Sequence, residues 1–135
     1  MEPLPLPSFD VLENTAAWLA VFESINLYDA ELRAVRLNLR TSQSAELDLY
    51  LPGEFAVRVP IEQRKSEYCI TVRCTEISSF RADDIGHQLV VGDYAFDNVS
   101  AHERAFRIRG ALGGDLEVRC KRIEIARVET GAPAA

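Results

Sequence analysis

Few of the side chains that do chemistry stand where they could act together in this chain. His87 and His102 are its only histidines. Asp83-Asp84-Ile85-Gly86-His87 gathers two carboxylates and an imidazole that could hold a cation. Zinc, however, needs further ligands at recognisable spacing, and the segment reads as a solvated loop. An enzyme reading would require a pocket joining His87, His102 and Asp83 or Asp84. A Cys–His nucleophile pair is the other option. Cys74 and Cys120 share the parity of core residues, where cysteine behaves as a small hydrophobe. Only Cys69 has outward parity, and it is expected to be the most reactive thiol. Gly110-Ala111-Leu112-Gly113-Gly114 has no Walker lysine and opens no helix, so it reads as a hairpin turn. Ser42, Ser44, Ser78 and Ser79 lie in no nucleophile elbow. Asp29 and Glu31 invite acid–base chemistry, but Asp29 falls where the chain turns from one period to another. Its carboxylate is expected to accept backbone N–H bonds there. No catalytic set, metal or cofactor is expected.

What remains is binding. The outward parity of the alternating segments carries Arg36, Asn38, Arg40, Glu46, Asp48, Tyr50, Arg58 and Arg73, with Arg107, Arg109, Glu117 and Arg119 later. Mixed charge of this kind makes either a solvated face with cross-strand pairs or a polar protein-binding face anchored by Tyr and Arg. The candidate contact residues are Tyr50, Arg58, Arg73 and Arg107 on the sheet face, and Asp83, Asp84 and Asp93 in an acidic loop. The loop suits a nuclease partner, because carboxylates can pair with cations that otherwise hold phosphates.

Composition narrows the class. With 135 residues the chain is expected to form one domain, 1–135, with 1–7 as an extended Pro-rich lead and 130–135 as a flexible tail. A net charge of −6 argues against general nucleic-acid binding, which needs a basic surface, and permits a basic partner. No apolar run reaches the ~18 residues of a membrane helix. The start lacks the charged n-region of a signal peptide. Three cysteines without C-x-x-C spacing read as reduced thiols, so a cytoplasmic protein is expected.

These residues must be positioned by elements of two periods. From about residue 10, capped by Ser8 or Asp10, the residues Val11, Leu12, Thr15, Trp18, Leu19, Phe22 and Ile25 follow helical spacing. This predicts an amphipathic helix of about four turns. Alternation then begins. Val35, Leu37 and Leu39, then Leu47, Leu49 and Leu51, then Phe55, Val57, Val59 and Ile61, then Tyr68, Ile70, Val72 and Cys74 predict a four-stranded meander. Its expected pairs are Leu39–Leu47, Leu51–Phe55 and Ile61–Tyr68. Segment 76–103 predicts a loop at 81–86 and short strands at 87–91 and 94–99. Phe106 and Ile108 share a face with Leu116, Val118 and Cys120, and a Gly113-Gly114-Asp115 loop would set Ile108 opposite Cys120. The parity break before Ile123 and Ile125 predicts a bulge at Lys121-Arg122.

The joint at 18–40 resembles the bacterial polymorphic-toxin immunity protein 50 family. That family combines an aromatic-rich helix, a turn with a His-Asp-Ala-like core and an alternating strand. Trp18, Phe22, Tyr28-Asp29-Ala30, Leu32 and Val35/Leu37/Leu39 fill those places, with Tyr28 standing where the family has histidine. The late Leu116–Ile125 segment suits its closing strand. The resemblance implies a small α+β protein that neutralises a cognate toxin by binding and has no catalytic residues.

The expected fold is therefore α+β, an N-terminal amphipathic helix packed on a curved, mainly antiparallel sheet of about six or seven strands. The expected function is a non-enzymatic binding protein, an immunity protein against a cognate toxin. The alternative is a structural or adaptor domain that self-associates, or joins a larger assembly, through a sheet edge.

Overall fold

The computed structural model describes residues 11–24, 26–41, 43–85 and 88–130. The proposed caps Ser8 and Asp10, the lead 1–7, Ile25, Ser42, His87 and most of the tail lie outside them. The described elements are β1 (Leu12–Glu13), α1 (Ala16–Val21), β2 (Glu31–Asn38), β3 (Ser44–Pro52), β4 (Glu67–Thr75), β5 (Ser79–Asp83), β6 (Leu89–Ser100), β7 (Glu103–Gly110), β8 (Asp115–Cys120) and β9 (Arg122–Thr130). Among the described residues no helix is long and apolar enough to cross a membrane.

The nine strands form one sheet in the order β1-β9-β4-β3-β2-β6-β7-β8-β5. Every pairing is antiparallel except β1 with β9. The sheet closes on itself. β8 runs into β9 through Lys121 alone, and β4 runs into β5 through Glu76–Ser78. The Lys121 N–H donates to the Thr75 carbonyl at 3.1 Å, and the Ser78 N–H to the Arg119 carbonyl at 2.8 Å. These bonds carry the ladder through both bends, so the ring β9-β4-β3-β2-β6-β7-β8 returns to its start. Glu76 takes a φ of 55° at the bend. One apolar core fills the ring, from Leu47 and Leu49 through Ile70 and Val72 to Phe106, Val118 and Ile123.

The helix-on-sheet expectation is overturned. The fold is mostly sheet, and α1 has six residues. Val11, Leu12, Trp18 and Phe22 are all buried, but not on one helix. Leu12 and Glu13 instead pair with Ile123 and Glu124. That bonding occupies an edge of β9 that a helix would leave open. Asn14, at φ 58°, then breaks the path and its amide donates to Glu124 at 2.6 Å. The local signals for a longer helix are weak. Thr15 makes no side-chain cap bond, the first turn has no acid and the last turn no base.

The third meander strand is also overturned. Residues 53–66 contain two short 3-10 turns, Gly53–Phe55 and Ile61–Gln63, and Phe55, Val57 and Ile61 are exposed. Pro52 and Pro60 bracket this run and lack the N–H a ladder needs. β3 therefore pairs directly with β4, Leu51 opposite Tyr68 and Leu49 opposite Ile70. Gly53 allows the loop to close: its N–H donates to Ser66 at 2.8 Å, and a Cβ there would lie 1.7 Å from the Lys65 carbonyl oxygen.

Elsewhere parity holds while register moves. Val35 rather than Leu39 faces Leu47, which leaves Leu37 and Leu39 exposed. Leu116 rather than Cys120 faces Ile108. The parity break at Lys121 is the joint between β8 and β9. From Leu89 on, the expected short strands at 87–91 and 94–99 are one strand, β6, and Thr130 ends β9 rather than opening a tail.

Candidate functional site

The closed sheet turns two polar faces outward, and they differ in how completely their charges are answered. On β2-β3-β4-β9, Arg33 grips Glu67 with two bonds of 2.8 and 2.9 Å and lies 4.2 Å over the Tyr50 ring. Arg36 holds Asp48 at 2.6 and 2.8 Å. Arg73 bridges Glu46 at 2.8 Å and Glu124 at 3.2 Å. The Thr71 hydroxyl donates to Asp48 at 2.8 Å beneath them. Tyr50 and Arg73 are thus committed to neighbours within this face. Arg58 belongs to neither face. Its guanidinium donates to the Leu19 carbonyl at 2.8 Å and its N–H to Val21 at 3.1 Å, fastening loop 53–66 to α1.

This lattice makes stability depend on acid. Hydrogen bonds from Arg73 to Glu46, from Arg36 to Asp48 and from Arg122 to Glu13 hold these carboxyls below their ordinary values of 4.5, 3.8 and 4.5. Their contribution is present above the unfolded values and is lost as pH falls through the lower folded ones. Stability should therefore be flat from neutrality to about pH 5 and decline below it. Denaturant midpoints across pH 3–7 would check this, and a higher midpoint at pH 3 than at pH 6 would contradict it.

The lattice also corrects the reading of Cys69. Its parity is outward, yet it is buried, as are Cys74 and Cys120, and no disulfide links them. Burial pushes the Cys69 thiol above its ordinary 9.0. Thiol titration of the native protein should find all three slow and release them only on unfolding. A Cys69 that reacts as fast folded as unfolded would contradict this placement.

The second face, on β5-β8-β7-β6, is concave around an open cavity of about 300 Å³. Cross-strand pairing sets its residues in rows. Asp83, Asp115, Arg109 and Asp93 form one row, and Arg81, Glu117, Arg107 and Ala95 the next. Three of the sequence candidates, Asp83, Asp93 and Arg107, meet here. Arg107 is braced between Asp97 and Glu117, each at 3.2 Å. The first row is less settled: Arg109 reaches Asp115 only at 3.6 Å with both side chains largely exposed. Asp83 and Asp93 make no ion pair among the described residues, though the Asp93 carboxylate accepts the Tyr94 N–H at 2.9 Å. The segment read as one acidic loop thus begins at the end of β5 and runs into β6, with Asp84 just after β5 at φ 54°.

The histidine constellation is not assembled among the described residues. His102 sits in the β6–β7 turn, its N–H donating to Ser100 Oγ at 3.2 Å. Along β6 this is roughly 20 Å from the Asp93 row at ordinary strand rise. His87 lies outside the described residues. No described group of three or more His, Cys, Asp or Glu could hold a metal ion.

A third feature escaped the sequence reading. A cavity of about 220 Å³ lies between the exit of α1 and loop 53–66, lined by Phe22, Glu23, Tyr28, Asp29, Phe55 and Val57 among others. The turn that shapes it is held by Asn26, whose Oδ1 accepts the Tyr28 N–H at 2.8 Å. Asp29 does not cap the turn, against expectation. Its N–H donates to the Val91 carbonyl at 3.1 Å, its φ is 67°, and its side chain is exposed. Asp29→Asn should therefore keep stability within about 0.5 kcal/mol, since asparagine tolerates the left-handed region, whereas Asp29→Ala should lose roughly 1 kcal/mol. A loss above about 2 kcal/mol for Asp29→Asn in chemical denaturation would restore a structural role to the carboxylate.

An aromatic path joins this cavity to the concave face. Tyr28 meets Tyr94 edge-on at 5.1 Å, Tyr94 meets Phe96 at 6.0 Å, and Phe96 stacks on Phe106 at 4.5 Å. Tyr94 lines the larger cavity and Tyr28 the smaller.

No protein-family model, no curated protein and no solved structure matches the chain.

Proposed function

We propose that this chain is a non-enzymatic cytoplasmic binding protein that neutralises a cognate bacterial toxin by covering it, with the concave face of β5-β8-β7-β6 as the contact surface. The observation that carries the proposal is the row Asp83-Asp115-Arg109-Asp93, three carboxylates against one loosely held cation, on one side of a hollow whose other side carries Arg81, Arg107 and Glu117. Asp83 has no ion-pair partner among the described residues, Asp93 accepts only the neighbouring Tyr94 N–H and Asp115 is held loosely, so the row can meet a cationic surface while breaking few internal pairs. Braced Arg107 gives the hollow a rigid floor, which lowers the entropy cost of binding. The net charge of −6 adds steering toward a basic partner, as a nuclease presents where it grips phosphates. The immunity role itself rests on the resemblance at the helix-to-strand joint.

Association through a sheet edge has less behind it. The end strands are β1, of two residues, and β5, of five residues that include Arg81 and Asp83, and the part of β2 beyond its two-residue pairing with β6 carries Arg33 and Arg36. Short, charged edges resist strand addition. Co-expression with the protein encoded by the adjacent gene tests the proposal. The two should co-purify and the neighbour's toxicity should be relieved. Persistent toxicity with both proteins expressed and no complex would refute the immunity role.

A further inference from the structure

We infer that the cavity between the α1 exit and loop 53–66 is a second contact site, which takes an apolar side chain flanked by lysine or arginine on a protein partner. The inference rests on the reading of this chain as a protein-binding protein and names the chemistry of one further contact.

The argument begins with apolar surface. Tyr28, Phe55 and Val57 line the cavity and are 48%, 40% and 49% exposed. All three come from short, tightly bonded turns, so the exposure is built into the backbone and costs apolar hydration. Large apolar groups left clustered in water mark contact sites more often than scattered ones do. The floor is rigid, because Phe22 is buried and packs edge-on against Tyr68 at 5.7 Å.

Charge identifies the occupant. Glu23 and Asp29 line the cavity, and no cation does among its described residues. The arginines of the neighbouring loop are spent elsewhere, Arg58 on the Leu19 carbonyl and Arg64 on the Val59 carbonyl, each at 2.8 Å. An apolar hollow rimmed by unanswered carboxylates complements an apolar group with a cation beside it. The Asp29 backbone, at φ 67°, bonds the Val91 carbonyl and leaves the carboxylate exposed at the rim. The Tyr28–Tyr94 contact sets a wall of this cavity against a wall of the concave face, so one partner can span both.

The test uses the full chain, isotope-labelled, titrated with the capped tripeptide Lys-Phe-Lys while backbone amide signals are followed. Saturable shifts are expected at Tyr28, Asp29 and Val57, in the millimolar range suited to so small a ligand. Glu-Phe-Glu and Lys-Ser-Lys should bind at least about tenfold more weakly, lacking the charge or the apolar group. Asp29→Asn, which keeps the fold, should weaken Lys-Phe-Lys about threefold, as for one exposed ion pair. Asp83→Lys should leave it unchanged, which separates this site from the concave face. Equal binding of Glu-Phe-Glu, or no saturable shift with Lys-Phe-Lys, would overturn the inference. So would a mass that rises with concentration and falls back in Val57→Ser, because the occupant would then be a second copy of the chain.

Discussion

Replacing Phe106 by alanine is expected to cost about 3–5 kcal/mol, the range for removing a fully buried aromatic ring. Phe106 has no exposed surface. It lies opposite Phe96 on one side and Val118 on the other, and its ring stacks on Phe96 with an interplanar angle of 7°. The site joins β6, β7 and β8, three of the seven strands of the closed ring, so the surrounding strands cannot collapse into the void without breaking ladder bonds. Against a total stability of roughly 5–15 kcal/mol for a small domain, the loss should bring the variant near its unfolding threshold. Leu39→Ala is the control. Leu39 is 63% exposed, and its loss should stay within about 0.5 kcal/mol. Urea denaturation of both variants would measure this. A loss below about 1 kcal/mol for Phe106→Ala would mean that the ring has no packed interior at this point.

How far the sequence was legible depended on the range of the interaction. Period-two alternation sorted residues by face correctly along β3, β4, β7 and β8, because side-chain direction in a strand is a local property. Register was not local. Leu47 meets Val35 rather than Leu39, and either choice keeps the faces aligned, so parity cannot separate them. The run Phe55, Val57, Val59 and Ile61 alternates like a strand, and the prolines at 52 and 60 decide against it. The N-terminal stripe misled for a subtler reason. Val11, Leu12, Trp18 and Phe22 needed burial, and helical spacing supplied one way to achieve it. A two-residue strand, a left-handed Asn14 and a short helix supply another, which also pairs an edge of β9.

The same limit governs the sites. Asp83, Asp93 and Arg107 stood out by charge, yet the row that unites them depends on β5 pairing with β8, as in Asp83 opposite Asp115. Nothing near Asp83 in sequence announces that partner. The smaller cavity joins Phe22–Asp29 to Phe55–Val57 across a loop misread as a strand, so it could not be foreseen. At the turn, both Asn26 and Asp29 could hold the backbone. Only geometry assigns the task to Asn26 and leaves Asp29 facing outward.

The most direct measurement of the central claim is the rate at which the chain associates with the toxin domain encoded beside it, at low and high salt. Wild type is compared with Asp83→Lys combined with Asp93→Lys. Each substitution adds two positive charges, so net charge moves from −6 to −2, and the change falls inside the concave face. Both positions are exposed in the structure, so folding should be unaffected, which a thermal melt would verify. If this face makes the contact, the double variant should associate at least about tenfold more slowly at low salt, and its rate should depend less on ionic strength. Equal rates and equal salt slopes for the two proteins would contradict the claim and remove this face from the interface.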